Sequence, residues 1–285
     1  MFERCVCLSF ALSANVMPPG NILTKECLDF GRHIARTVWL SANPYYDLSE
    51  ERRGIICFSN WRCPVFGVLV VDLVIFDLDG LLADTEKWHK KAYQDVLLEM
   101  GVSLSDAYYE EHWIRAGRGI ADFISGHRLS IDADEVRRGK SARYRDLVTR
   151  FVQAMPGAFE LLTLLHGRKT MALATSSYSD AADVVMTSLG IRKYFAMVAA
   201  NEDVSLVKPS PELFLYVACR LNQRPDNCIV LEDSEKGVLA AYAAGMRCIA
   251  VPNIHTRNHD FSKATIIIQS LKDVTIELIE SLPET

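Results

Sequence analysis

Two carboxylates one residue apart, Asp77 and Asp79, followed by Gly80, are the side chains in this chain best placed to do chemistry. Like charges so close oppose each other unless a cation or a shared proton relieves them. A hard divalent cation with oxygen ligands is the simplest relief, and it leaves one Asp free to attack a substrate. The pair follows the apolar run Val70-Val71-Asp72-Leu73-Val74-Ile75-Phe76, whose β-branched and aromatic residues predict a buried strand, and Gly80 marks the turn that stops it. Strand ends of this kind are where open α/β sheets hold their ligands. Alternation along the strand sends both Asp side chains to the same side of the chain.

Three other segments have a related form. Lys169-Thr170-Met171-Ala172-Leu173-Ala174 predicts a strand ending in the hydroxyls of Thr175, Ser176 and Ser177, residues that also suit the cap of a following helix. Val207-Lys208-Pro209-Ser210-Pro211 fixes a turn ahead of another helix. Ile229-Val230-Leu231 predicts a third strand, and it ends in a second acidic pair, Glu232-Asp233. With Asp77 to Glu86, these segments resemble in order and spacing the four motifs of the haloacid dehalogenase (HAD) superfamily, over roughly residues 68 to 275.

The resemblance implies an α/β fold, a doubly wound parallel sheet with a Rossmannoid core and an inserted helical cap. It also implies a magnesium-dependent phosphatase working through an aspartyl-phosphate. On that reading Asp77 is the nucleophile and Asp79 the general acid/base, while Thr175, Ser176 and Lys208 hold the phosphoryl oxygens. The Mg2+ ligands it implies are the Asp77 carboxylate, the Asp79 main-chain carbonyl and Asp233, with Glu232 joining directly or through water.

Between the first two motifs lies an insert from 86 to 151. Trp88, Ala92, Val96 and Met100 recur at helical spacing before the stop signal Gly101, and amphipathic stretches follow around 106–115, 117–127 and 133–153. A purely helical insert at this point resembles the C1 cap of the β-phosphoglucomutase-like and phosphoglycolate-phosphatase-like branch. The expected division is an extension at 1–66, a core at 67–85 and 152–285, and a cap at 86–151. Thr85, Glu86 and His89 match the spacing of a Thr and a His near the mutase hinge, although His89 suits a half-buried helix position equally well. Arg115 and Arg118 depart from the register of the mutase's basic pair and read first as a solvated face, second as contacts to an anionic substrate. This departure ranks a phosphatase acting on a small phosphorylated metabolite, a sugar phosphate by expectation, above a phosphomutase. A non-enzymatic binding module would have lost a motif acid, and every one is present.

At 285 residues, 49% apolar and 24% charged with a net charge of −5, the chain suits a cytoplasmic, monomeric enzyme. It has no basic stripe for nucleic acid and no apolar run of the ~18 residues that a membrane span needs. Cys219, Cys228 and Cys248 read as isolated buried thiols, and His255 and His259 as loop residues without a third metal ligand at matching spacing. Residues 1–66 hold Cys5, Cys7, Cys27, Cys57 and Cys63 but no paired C-x-x-C. The apolar stretch Cys5 to Ala14 faintly resembles a signal-peptide core, against which Glu3 counts. The segment reads as a poorly ordered, dispensable extension rather than a targeting signal.

Overall fold

The computed structural model describes residues 71–283, so the expectations for 1–66 fall outside the described residues. Chain order is β1 (Leu73–Phe76), then the helices α1 (Glu86–Glu99), α2 (Asp106–Tyr109), α3 (Ile120–His127) and α4 (Ala133–Phe151). There follow α5 (Ala158–Leu165), β2 (Thr170–Ala174), α6 (Ser179–Leu189), β3 (Met197–Ala199), α7 (Glu212–Arg220) and β4 (Cys228–Glu232). The chain closes with α8 (Glu235–Ala243), β5 (Arg247–Ala250), β6 (Ile266–Ile267) and α9 (Ile276–Ser281). The strands form one six-stranded sheet in the order β3-β2-β1-β4-β5-β6. Every neighbouring pair is parallel, which is the doubly wound architecture implied by the motifs.

A parallel sheet is covered on both faces, and this explains why its central strands are almost wholly apolar. Val74 and Phe76 of β1 pack with Leu161 and Leu162 of α5 and Val185 of α6. The alternate residues Leu73 and Ile75 pack on the other face with Phe214 and Val217 of α7 and Val238 of α8. The helices α1 to α4 gather round a separate apolar cluster that includes Val96, Leu97, Tyr109, Ile120, Phe123 and Val136.

Local details depart from the sequence expectation. The expected helix over 106–115 is a short α2 running into a π-helical turn at Glu110–Arg115. β5 is confined to Arg247–Ala250, the residues that pair with β4. Cys228 and Cys248 are buried as expected, but Cys219 is half-buried, since it lies at the margin of α7 beside the exposed Arg220.

The sheet order positions the site. β1 lies between β2 and β4, so successive connections leave it in opposite directions and open a crevice at the strands' carboxyl ends. Phe76 is level with Leu173 of β2 and Leu231 of β4. One step further along, Asp77 and Glu232 therefore emerge side by side, with Thr175 just beyond the end of β2. Among the described residues no helix is long and apolar enough to cross a membrane.

Candidate active site

Lys208 is the hub of the crevice. Its ammonium group donates to Asp77 Oδ1 at 2.5 Å, Glu232 Oε1 at 2.6 Å and the Ala174 carbonyl at 2.8 Å. Three donors thus meet three acceptors, and the side chain is buried. The other Glu232 oxygen accepts from the backbone amides of Asp233 and Ser234 and from the Ser234 hydroxyl, at the N-terminus of α8. The carboxyl group lies so close to that helix that a Cβ on Gly237 would fall 1.8 Å from its carbon, so the position requires glycine. Glu232 is therefore committed to holding Lys208.

Asp77 is pushed up to about 8, first by burial and then by the charges of Glu232 and Asp79, against the lowering pull of Lys208. Asp233 is raised well above the ordinary carboxylate range by burial and by the charges of Asp77 and Glu232. One oxygen each from Asp77, Glu232 and Asp233 lie within 4.8 Å of one another. An all-oxygen set of mutually repelling carboxylates suits a hard divalent cation such as Mg2+. With Glu232 engaged by Lys208, the oxygens left for a cation are those of Asp77 and Asp233.

The raised values carry a sign for stability. A carboxyl whose folded pKa exceeds its unfolded one binds its proton more tightly when folded. Its stabilising contribution is present at acid pH and lost as pH climbs from the ordinary carboxylate value of 3.8 toward about 8. In chelator, the melting temperature should therefore fall across that interval, and Asp77→Asn should flatten the fall. A slope unchanged by the substitution would show that this cluster is not its source.

Asp79 faces a different set of partners. Oδ1 accepts from the Thr85 hydroxyl at 2.7 Å and lies 3.5 Å from His89 Nε2. Oδ2 accepts from Ser177 Oγ at 2.7 Å and Thr175 Oγ1 at 3.2 Å. Burial works to raise this carboxyl, yet the imidazole of His89 and the hydroxyls of Thr85 and Ser177 outweigh it and hold it well below the ordinary range.

Ser176 is exposed, and its carbonyl accepts from Asn201 Nδ2 at 3.2 Å. Ser177 is the serine at the carboxylate, because the bend after β2 leaves residue 176 outward and brings the residue 177 hydroxyl onto Asp79.

The helices over the crevice contribute Lys140 and Tyr144, one turn apart on α4. Lys140 Nζ is 2.6 Å from His89 Nδ1, and the His89 ring stacks on Tyr144 with centroids 4.1 Å apart. An ammonium donating to Nδ1 leaves Nε2 as the protonated nitrogen facing Asp79. Burial pushes Lys140 down to about 8, against the raising charges of Asp79 and Glu86. Arg115 pairs with Glu111 on an exposed turn, in keeping with a solvated face. His255 Nδ1 lies 3.3 Å from Glu110 Oε1. The motifs do not separate Ser177 from Ser176, and they do not single out Lys140, Tyr144 or Asn253. The only signals for Lys140 and Tyr144 were a four-residue spacing within a run of other basic residues, and for Asn253 a turn residue after β5.

A doubly wound sheet with paired acids, a buried lysine and hydroxyls at its switch point defines an α/β enzyme built to hold an anionic group beside carboxylates. The chain belongs to the haloacid dehalogenase-like hydrolase family, whose profile matches residues 74–251. It is 34% identical to fructose-1-phosphate phosphatase YqaB of Escherichia coli, over 62% of this chain and 95% of that one. Its fold is similar to CbbY from Rhodobacter sphaeroides in complex with phosphate, with a TM-score of 0.66 and 26% identity, covering 72% of this chain and 96% of that one. It is also similar to β-phosphoglucomutase from Clostridium difficile, with a TM-score of 0.61 and 26% identity, covering 74% of this chain and 96% of that one. The chain is a hydrolase of the phosphatase kind within this family.

Proposed function

We propose that the protein hydrolyses the phosphomonoester of a sugar-phosphate-like metabolite through an aspartyl-phosphate on Asp77, with Mg2+ bound at Asp77, the Asp79 carbonyl and Asp233. The observation that carries this reading is the Lys208 hub, which fixes a buried carboxylate at the switch point through one oxygen and leaves the other without a hydrogen-bond partner among the described residues. In the first half-reaction an Asp77 oxygen bonds to phosphorus as the bond to the sugar oxygen breaks, and Asp79 protonates that leaving oxygen. In the second, water attacks phosphorus, gives its proton to Asp79, and the bond to Asp77 breaks to release phosphate. Bound Mg2+ supplies positive charge against the developing charge on the phosphoryl oxygens.

Asp79 must carry a proton for the first step, although its donors hold it ionised. A phosphate seated at Thr175 and Ser177 competes for both hydroxyls and brings negative charge close to Asp79, and each effect raises its proton affinity. His89, oriented by Lys140, lies at the same carboxylate. The helices of 86–151 serve as the cap that excludes water and selects the alcohol. Likeness to a fructose-1-phosphate phosphatase supports the sugar-phosphate class.

A phosphomutase reading is favoured by one observation, the His89–Lys140 pair beside Asp79. The two readings separate when the enzyme is incubated with a hexose 1-phosphate. Hydrolysis predicts stoichiometric release of inorganic phosphate, whereas a mutase would accumulate hexose 6-phosphate instead. Activity should vanish in chelator, and Asp233→Ala should raise the Mg2+ concentration needed for half-maximal rate by about 10-fold or more. Full turnover in chelator would contradict the metal site.

A further inference from the structure

Asn253, three residues past the end of β5, spends its whole hydrogen-bonding capacity at one point. Its Nδ2 donates to Asp233 Oδ2 at 2.7 Å and to the Gly80 carbonyl at 3.0 Å. Its Oδ1 accepts from the amides of His255 at 2.7 Å and Thr256 at 3.2 Å. Because two amides converge on one end of the side chain, that end must be the oxygen, and the NH2 must face Asp233. The backbone closes the same turn, with the Asn253 amide donating to Thr256 Oγ1 at 3.0 Å.

The approach is tight. A Cβ on Gly80 would lie 2.4 Å from Asp233 Oδ2 and 2.9 Å from Asn253 Nδ2, and Gly80 has φ +85°. The glycine after the two aspartates therefore does more than turn the chain: it makes room for the Asn253–Asp233 contact. The donor is also neutral. A lysine or arginine there would cancel the charge that attracts a cation, whereas an amide fixes Oδ2 and leaves the negative charge in place.

We infer that Asn253 is a positioning residue for the metal-binding carboxylate: by holding Oδ2 it locks the rotamer of Asp233 beside Asp77. The inference rests on the metal site proposed above. Partners that orient a metal ligand from behind set affinity, and losing one costs about 10- to 100-fold in metal binding.

The test is calorimetric titration of Mg2+ into the wild-type protein and four variants. Asn253→Ser keeps an oxygen able to cap the turn but cannot reach Asp233, and Asn253→Ala removes both functions. Thr256→Val loosens the turn while leaving the amide in place. Asp233→Ala removes the ligand itself. The expected result is a Kd raised about 10- to 100-fold in both Asn253 variants, with turnover recovering at high Mg2+. Thr256→Val should lower the melting temperature and leave Kd unchanged. If Asn253→Ser binds Mg2+ as tightly as wild type, or Thr256→Val weakens binding equally, the inference is overturned while the metal site stands. If wild type and Asp233→Ala bind alike, the metal site itself is misplaced.

Discussion

Lys208→Met should unfold more easily and lose nearly all turnover. Among the described residues, Lys208 is the one ammonium that bonds both Asp77 and Glu232, and Glu232 is fully buried. Removing one partner from a buried ionic cluster leaves uncompensated charge and costs about 3–5 kcal/mol. The same change removes a preorganised positive charge from beside the proposed phosphoryl position, and the loss of one such electrostatic partner costs about 100- to 1,000-fold in rate. Lys208→Met combined with Glu232→Gln should recover part of the stability, because a neutral amide no longer needs the ammonium. It should recover none of the activity. Chemical denaturation and steady-state rates on the two variants check this, and a single variant as stable as wild type would remove Lys208 from its place at the hub.

Asp77→Asn should behave oppositely in stability and alike in rate. The substitution is nearly isosteric, and it relieves the repulsion that Asp77 feels from Glu232 and Asp79. Lys208 keeps Glu232 and the Ala174 carbonyl as partners. In chelator at neutral pH the variant should therefore melt no lower than wild type. Turnover should fall by roughly three orders of magnitude or more, since the attacking carboxylate is replaced by a neutral, weakly nucleophilic amide. A variant retaining more than a few per cent of wild-type turnover would contradict nucleophilic attack by Asp77.

Much of this was legible in the sequence because parallel strands advertise themselves. Leu73 to Phe76 and Cys228 to Glu232 are buried on both faces, so an apolar run followed at once by acids marks a strand end with little ambiguity. Asp77, Asp79, Thr175 and Asp233 meet in the crevice because they lie just past strand ends, and the loop ahead of α7 brings Lys208 to them. What was not legible depends on rotation and on the third dimension. Ser176 and Ser177 are indistinguishable as letters, and only the twist of the chain after β2 decides which turns inward. Lys140 lies on a helix among arginines, and nothing in its neighbourhood shows that its ammonium reaches His89 rather than solvent. Glu232 looks like a metal ligand until its oxygens are counted against Lys208, Ser234 and the helix amides. Asn253 resembles any turn residue until the folded sheet brings it against Asp233.

The central claim is that phosphate passes through a covalent bond to Asp77. The most direct measurement mixes the protein and Mg2+ with a radiolabelled sugar phosphate, quenches in acid within the first turnover, and maps the label by peptide sequencing. The account predicts acid-stable, base-labile label on the peptide carrying Asp77, and none in Asp77→Asn. Rapid phosphate release with no protein-bound label at any quench time, or label on a different residue, would contradict it.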